Sequence, residues 1–412
     1  MSNPRHSSAL RHFVTLLTLL LTGLPGHAQT PGQGLSSSEP RVMALDDEAE
    51  PIVTVDLTHQ ASDLWDQIRR GFGMPDLVTP EVTEWQIRYL SHPAALQRLF
   101  ERSYRYLYHI VDAVEARGLP TEIALLPMIE SGFDPMAYSR SHAAGLWQFV
   151  PSTGRYFNLR QNEWIDERRD VIASTEAALD YLERIYDMHG DWHLALASYN
   201  AGEGTVLRAR QKNEAQGLPT EYEYLPLRQE TREYVPKLQA LKNIIARPEL
   251  FGIDLPHVPN RVYFDLVDSL PGIDLAMAAK LSDTPLDELV ALNPGYRKPV
   301  IPDGKHQLVL PADKVGEFQA RLKDVKPRWK IYTVGKKDAP RELARQFGIT
   351  LTQLLQINGL LSSRFIKPGM SLLVPAGADI NAVMPLTELL PDMPSEADIR
   401  RGPPRAKHSR KR

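Results

Sequence analysis

The chain has 412 residues, too many for one average domain. Its composition, 42% hydrophobic and 24% charged, is that of an ordinary globular protein, and a net charge of −3 removes any bulk electrostatic case for nucleic acid or an anionic membrane. There is no cysteine, which excludes disulfides, thiolate metal sites and a cysteine nucleophile.

At the N-terminus Arg5, His6 and Arg11 precede the apolar run "FVTLLTLLLTGL". Gly26 and Ala28 then occupy the −3 and −1 positions before Gln29. This is the layout of a secretory signal peptide over 1–28. An uncleaved anchor is the weaker alternative, because the run of about 12 residues falls short of the ~20 that span a bilayer. Residues 29–58, with "PGQGLSSSEP" and "DDEAEP", cannot bury a core and read as a linker.

From Leu64 onward helical periodicity dominates. Tyr104, Leu107, Tyr108, Val111 and Val114 recur at helical spacing, as do Ala177, Ala178, Tyr181, Leu182 and Ile185. Residues 59–255 are therefore expected to form a mostly α unit. The texture then changes. "RVYFDL", "QLVLPA", "WKIYTV" and "SLLVPA" are strand candidates separated by helical stretches. Leu286, Leu289, Leu292 and Asn293 match Leu351, Leu354, Ile357 and Asn358 at a constant offset of 65, and Ile301 and Gly304 match Ile366 and Gly369 likewise. This is an internal repeat, each copy reading strand, helix, helix, strand, over 260–312 and 329–376. Val315, Phe318, Leu322 and Val325 suggest a linking helix between the copies. Residues 377–412 end in "RRGPPRAKHSRKR", expected to be a solvated, disordered basic tail. The fold class is α+β and multidomain, with a large α unit followed by two small βααβ modules.

One acid stands out. "LLPMIESGFDP" places Glu130 behind Leu125, Leu126, Met128 and Ile129 and stops the run with Ser131 and Gly132. Gly118-Leu119-Pro120-Thr121-Glu122 suits a helix start and Gly132 a helix stop. Glu130 is thus expected near a helix C-terminus, where the dipole and the apolar neighbours both disfavour its ionised form. A free Glu titrates near about pH 4.3, so its acid form costs about 3.7 kcal/mol at neutral pH, and a pKa of ~6 cuts that to about 1.4 kcal/mol. The alternative is an exposed Glu at a helix end. Two further stretches favour the acid. "SHAAGLWQFVPSTG" sets Trp147 and Gln148 after a turn at Gly145, and "ALASYNAGEG" sets Tyr199 and Asn200 before another turn. An aromatic face with directional hydrogen bonds suits a sugar cleft, although Trp147 could be core and Asn200 simply part of a turn.

The ordered set Glu130-Ser131, Gly145-Leu146-Trp147-Gln148, Tyr199-Asn200-Ala201-Gly202 and "LPLRQETREYVPKL" resembles the family 1 lytic transglycosylases over about residues 115–245. The two repeats resemble LysM modules, although both lack the usual Gly-Asp-Thr-Leu signature after the first strand. The resemblance implies a goose-type lysozyme-like fold and peptidoglycan glycan strands as the partner. Other cell-wall enzymes are possible partners, and no cofactor or metal is needed. It also implies a Gram-negative periplasmic location. The lipid-carrying cysteine frequent among such proteins is missing, so no lipid anchor is expected. Ser198 replaces the usual Ala before the Tyr-Asn pair, a small change expected to be tolerated.

In the mechanism this resemblance implies, Glu130 protonates the oxygen between N-acetylmuramic acid and N-acetylglucosamine. The substrate's acetamido group stabilises C1, and Glu130 then takes the C6 hydroxyl proton as that oxygen closes on C1. Tyr199 would orient the ion or Glu130. Ser131, Gln148, Asn200 and Trp147 would hold sugar or the loop, with Glu230 and Gly145 in supporting roles. Two alternatives stay open. A lysozyme- or chitinase-type hydrolase would need a second acid, for which Asp134, Asp166, Asp170 and Glu203 are available. The other is a cell-wall binding protein with an inactive cleft.

Overall fold

The computed structural model describes residues 62–302 and 307–377. The expected signal peptide, linker and basic tail, together with Gly304 of the repeat pattern, lie outside the described residues.

Every helix or strand element between residues 64 and 251 is a helix, as the periodicity requires, with loops between them. Their core is built from the expected stripes: Leu107, Val111, Val114, Ala178, Leu182 and Ile185 are all fully buried. Local chemistry sets the helix ends. Asp170 accepts from the N–H groups of Ile172 and Ala173 at the start of Val171–His189, and Gly190 ends that helix with φ 64°. Asp191 caps Trp192–Ala201 through the Leu194 N–H.

The helix Gln229–Ala246 carries an internal proline, Pro236. Proline has no N–H, so the carbonyl of Arg232 loses its intrahelical donor. The buried Tyr222 hydroxyl supplies one instead, lying 2.7 Å from Arg232 O and 2.9 Å from Thr231 O. This helix packs on Pro80–Leu90 and on Trp192–Ala201.

The two βααβ repeats are present. β1 (Phe264–Asp268) pairs antiparallel with β2 (Gln307–Pro311), Phe264 opposite Pro311. β3 (Trp329–Thr333) pairs with β4 (Ser371–Pro375), Trp329 opposite Pro375. The linking helix is Val315–Leu322, and Val325 lies just past it. Asn293 donates to Leu289 O and Val309 O and accepts from Val309 N. Asn358 does the same with Leu354 O, Leu373 O and Leu373 N. Each Asn therefore ties the end of its second helix to its last strand. The sequence offset of 65 drops to 64 at that strand, because Val309 answers to Leu373.

The first repeat is built into the helical unit. Ile165 forms an antiparallel bridge with Tyr296, Asp166 N donates to Gly295 O at 2.9 Å, and Arg297 N donates to Trp164 O at 2.9 Å. The cores exchange residues: Phe264, Leu292 and Val309 of the repeat join the helical core, while Trp164 and Ile165 join the repeats' core. The second repeat rests on the first, with Trp329 N donating to Gly272 O at 3.2 Å. Gly272 has φ 80°, and a Cβ there would lie 2.0 Å from Trp329 O, so no larger residue fits.

Candidate active site

Glu130 is the last residue of a five-residue helix, Leu126–Glu130, which continues a wholly buried 3-10 turn, Thr121–Leu125. The chain then turns sharply. Gly132 has φ 64° and buried Phe133 has φ 55°, while Ser131 N and Phe133 N both donate to Pro127 O. The turn leaves the Glu130 carboxyl half-buried and faced by the helix Gln229–Ala246, whose Tyr234 hydroxyl donates to Glu130 Oε1 at 2.6 Å. Burial raises the Glu130 pKa from 4.5 to about 7. The Tyr234 hydrogen bond and the Lys237 ammonium oppose that rise, and the Glu230 carboxylate adds to it.

The other expected residues fall into two groups. Tyr199 is near enough for the Glu130 charge to raise its pKa in addition to burial, but its hydroxyl is committed to Trp147 O at 2.9 Å. Asn200 Oδ1 accepts from Thr231 Oγ1 at 2.9 Å, tying its helix to the one that carries Tyr234. Gln148 has φ 49°, and its Nε2 donates to Gly145 O at 2.8 Å. Gly145 is required by space: with φ 83°, a Cβ there would sit 1.9 Å from Arg168 O. Ser131 Oγ donates back to Pro127 O. Glu230 is exposed in the first turn of its helix, within electrostatic range of Glu130.

Trp147 departs from expectation. It is fully buried, its Nε1 donates to Thr175 Oγ1 at 3.0 Å, and it packs in the helical core. Only its carbonyl reaches the site, so it cannot offer a sugar an aromatic face. Ser198 has a contact that an Ala there would lack. It is fully buried, and its Oγ lies 2.8 Å from His189 Nε2. Because Arg210, a donor only, lies on His189 Nδ1, the imidazole proton sits on Nε2 and points at Ser198.

The residue missed from sequence is Tyr234. Its position four residues after Glu230 on one helix face was the available signal. The acids open to a hydrolytic alternative are engaged elsewhere. Asp166 pairs with buried Arg168 at 2.7 Å, and Asp170 caps a helix. Glu203 accepts from Tyr181 at 2.8 Å, and Asp134 accepts from Met136 N. Among the described residues no group of His, Asp and Glu is placed to hold a metal ion.

Three family profiles match the chain: the transglycosylase SLT domain at 108–219, the LysM-like domain of lytic transglycosylase MltD at 263–327, and the LysM domain at 332–375. Membrane-bound lytic murein transglycosylase D of Escherichia coli (strain K12) is 35% identical over 336 residues, covering 77% of this chain and 73% of that protein. The chain belongs to the membrane-bound lytic murein transglycosylase D family. It is a peptidoglycan lytic transglycosylase. Membrane-bound lytic murein transglycosylase C of Glaesserella parasuis is 29% identical, covering 30% of this chain and 37% of that one. The solved 70 kDa soluble lytic transglycosylase of Escherichia coli aligns at a TM-score of 0.30 with 20% identity, over 49% of this chain and 32% of that chain.

Proposed function

We propose that Glu130 cleaves the bond between N-acetylmuramic acid and N-acetylglucosamine without water, as acid and then as base, leaving 1,6-anhydromuramic ends. The observation that carries this is the Glu130 carboxyl itself, half-buried, hydrogen-bonded to Tyr234 and with its pKa raised to about 7. A group poised near neutrality can give a proton and take one back in the same turnover. Hydrolysis by an ordinary glycosidase uses two carboxyls held about 5–9.5 Å apart. Four acids that could serve as the second are tied into caps and pairs. In this reading Tyr234 orients Glu130. Tyr199, Gln148, Ser131 and Asn200 line the sugar and hold the loops around it, and Glu230 keeps the acid form populated.

The repeats serve as the glycan-holding part, chiefly the second. In the first, the segment after the second helix is covered by residues 162–166. In the second, the equivalent segment exposes Leu361 at 95% and Phe365 at 43%, with Arg364 over the Phe365 ring. Export through the N-terminal signal completes the proposal. No helix among the described residues is long and apolar enough to cross a membrane.

Mass spectrometry of murein digested in ¹⁸O-labelled water tests the reaction. Anhydro ends without label are expected, and reducing ends carrying label would make the enzyme a hydrolase.

A further inference from the structure

Beside Glu130 lies a cluster that the proposed reaction leaves unused. Trp85, on the helix Pro80–Leu90, is half-buried against Gln229–Ala246. Two cations stack on its ring: Arg88, with Cζ 4.1 Å from the centroid, and Lys237, with Nζ 4.6 Å away. Neither side chain has an ion pair or hydrogen bond to another described residue. Glu233, the i,i+4 neighbour that would ordinarily pair with Lys237, instead accepts from Gln229 Nε2 at 2.7 Å. Like charges brought together on one ring, one of them half-buried, repel unless an anion joins them. Burial accordingly pulls the Lys237 pKa down, and Arg88 adds to the effect, while Glu130, Glu233 and Glu230 oppose it from longer range. Lys237 follows Tyr234 by three residues, so the two side chains share a helix face about 5–6 Å apart.

We propose that Lys237 and Arg88, carried on Trp85, bind a carboxylate on the O3 substituent of the muramic residue whose C1–O bond is broken. This rests on Glu130 marking that bond. The substituent hangs from the same sugar ring, within reach of a cation one helical turn beyond the residue that holds Glu130. Its carboxylate has two sources: the free lactyl group of peptide-free strands, or the acids of the stem peptide. A carboxylate gains charge-assisted hydrogen bonds from an ammonium or a guanidinium, and the aromatic base holds each cation close to the ring.

Binding to the full-length Glu130→Gln protein tests this without turnover. The first pair of probes is a peptide-free muramic tetrasaccharide with a free lactyl carboxylate and its N-methylamide. The second is the peptide-bearing tetrasaccharide with free or amidated peptide carboxylates. Calorimetry should show the charged member of one pair binding roughly tenfold more tightly, and the pair that shows it identifies the source. Adding Lys237→Met or Arg88→Met should bring that ratio toward one, and Lys237→Arg should restore most of it. Arg88 is exposed, so its variant keeps the test informative if Lys237→Met fails to fold. Equal affinity within both pairs, or a preference that survives both methionine variants, overturns the carboxylate site. Near wild-type turnover in the Glu130→Gln protein would overturn the role of Glu130 instead, so the two failures are distinguishable.

Discussion

Glu122 and Glu130 lie eight residues apart on one continuous buried turn and helix, yet their surroundings are opposite. The Glu122 carboxylate accepts from Gly73 N and Met74 N at 3.0 Å each and pairs with Lys242 at 3.1 Å. Each of its oxygens has a donor, and its charge is matched. Glu130 has one neutral hydroxyl, a cation out of ion-pair range, and a like charge nearby. Burial alone makes neither residue reactive; what separates them is whether the charged form is supplied with partners. The first is a structural tie between the N-terminal segment and Gln229–Ala246, and the second is the group to which the proposed reaction assigns the proton.

If this contrast is right, the largest effect comes from Glu130→Gln. The amide fills the same space but cannot exchange the proton, so kcat should fall at least ~10²-fold with the fold intact. A purified variant with near wild-type turnover would remove Glu130 from its role. The same variant has a signed effect on stability. Because the folded pKa is raised from 4.5 to about 7, folding favours the protonated form. That contribution is complete below about pH 4.5 and is lost as pH rises through about 7. Above that range the wild type carries a half-buried charge, so Glu130→Gln should melt at higher temperature than wild type at pH 8 and match it near pH 4.

Glu122→Gln should do the reverse. It breaks a buried pair and weakens two backbone contacts, destabilising by ~3 kcal/mol, with Asp76 still available to Lys242. Thermal melts across pH 6–8 check this. A stable Glu122→Gln protein with lost activity would dissolve the distinction between the two acids.

Tyr222→Phe probes the support behind Tyr234. Removing the hydroxyl leaves the carbonyl freed by Pro236 without a donor, at a cost of about 1–2 kcal/mol. Denaturant melts measure it, with a smaller fall in kcat expected as that helix turn loosens. The smallest effect is that of Tyr234→Phe. Its hydroxyl favours the ionised Glu130, so its loss should move the alkaline limb of the pH–rate profile upward, with up to ~10-fold lower kcat at the optimum. An unmoved limb would mean that the hydroxyl does not bear on the proton.

Much of this was legible in sequence because it is local. The stop at Ser131-Gly132, the apolar run before Glu130, and the two Asn residues closing the repeats are short-range patterns, and each appears where periodicity put it. The parts that were not legible depend on distant contacts. Tyr234 reaches Glu130 from 104 positions away. Trp147 reads as a sugar platform beside Gln148, but its indole turns inward to Thr175. The first repeat reads as a separate module. Its bridges to 164–166 are backbone contacts, which leave little trace in residue type. The one-residue slip between the copies was hidden because the helices hold the offset and only the last strand shifts.

The most direct measurement is the titration of Glu130 itself. Carbon-13 NMR of protein labelled at glutamate Cδ, assigned by difference from Glu130→Gln, reports its protonation against pH. Titration near pH 7 is the expected result, with the midpoint moving up in Tyr234→Phe. A midpoint near 4.5, the ordinary value, would contradict a single carboxyl serving as both acid and base.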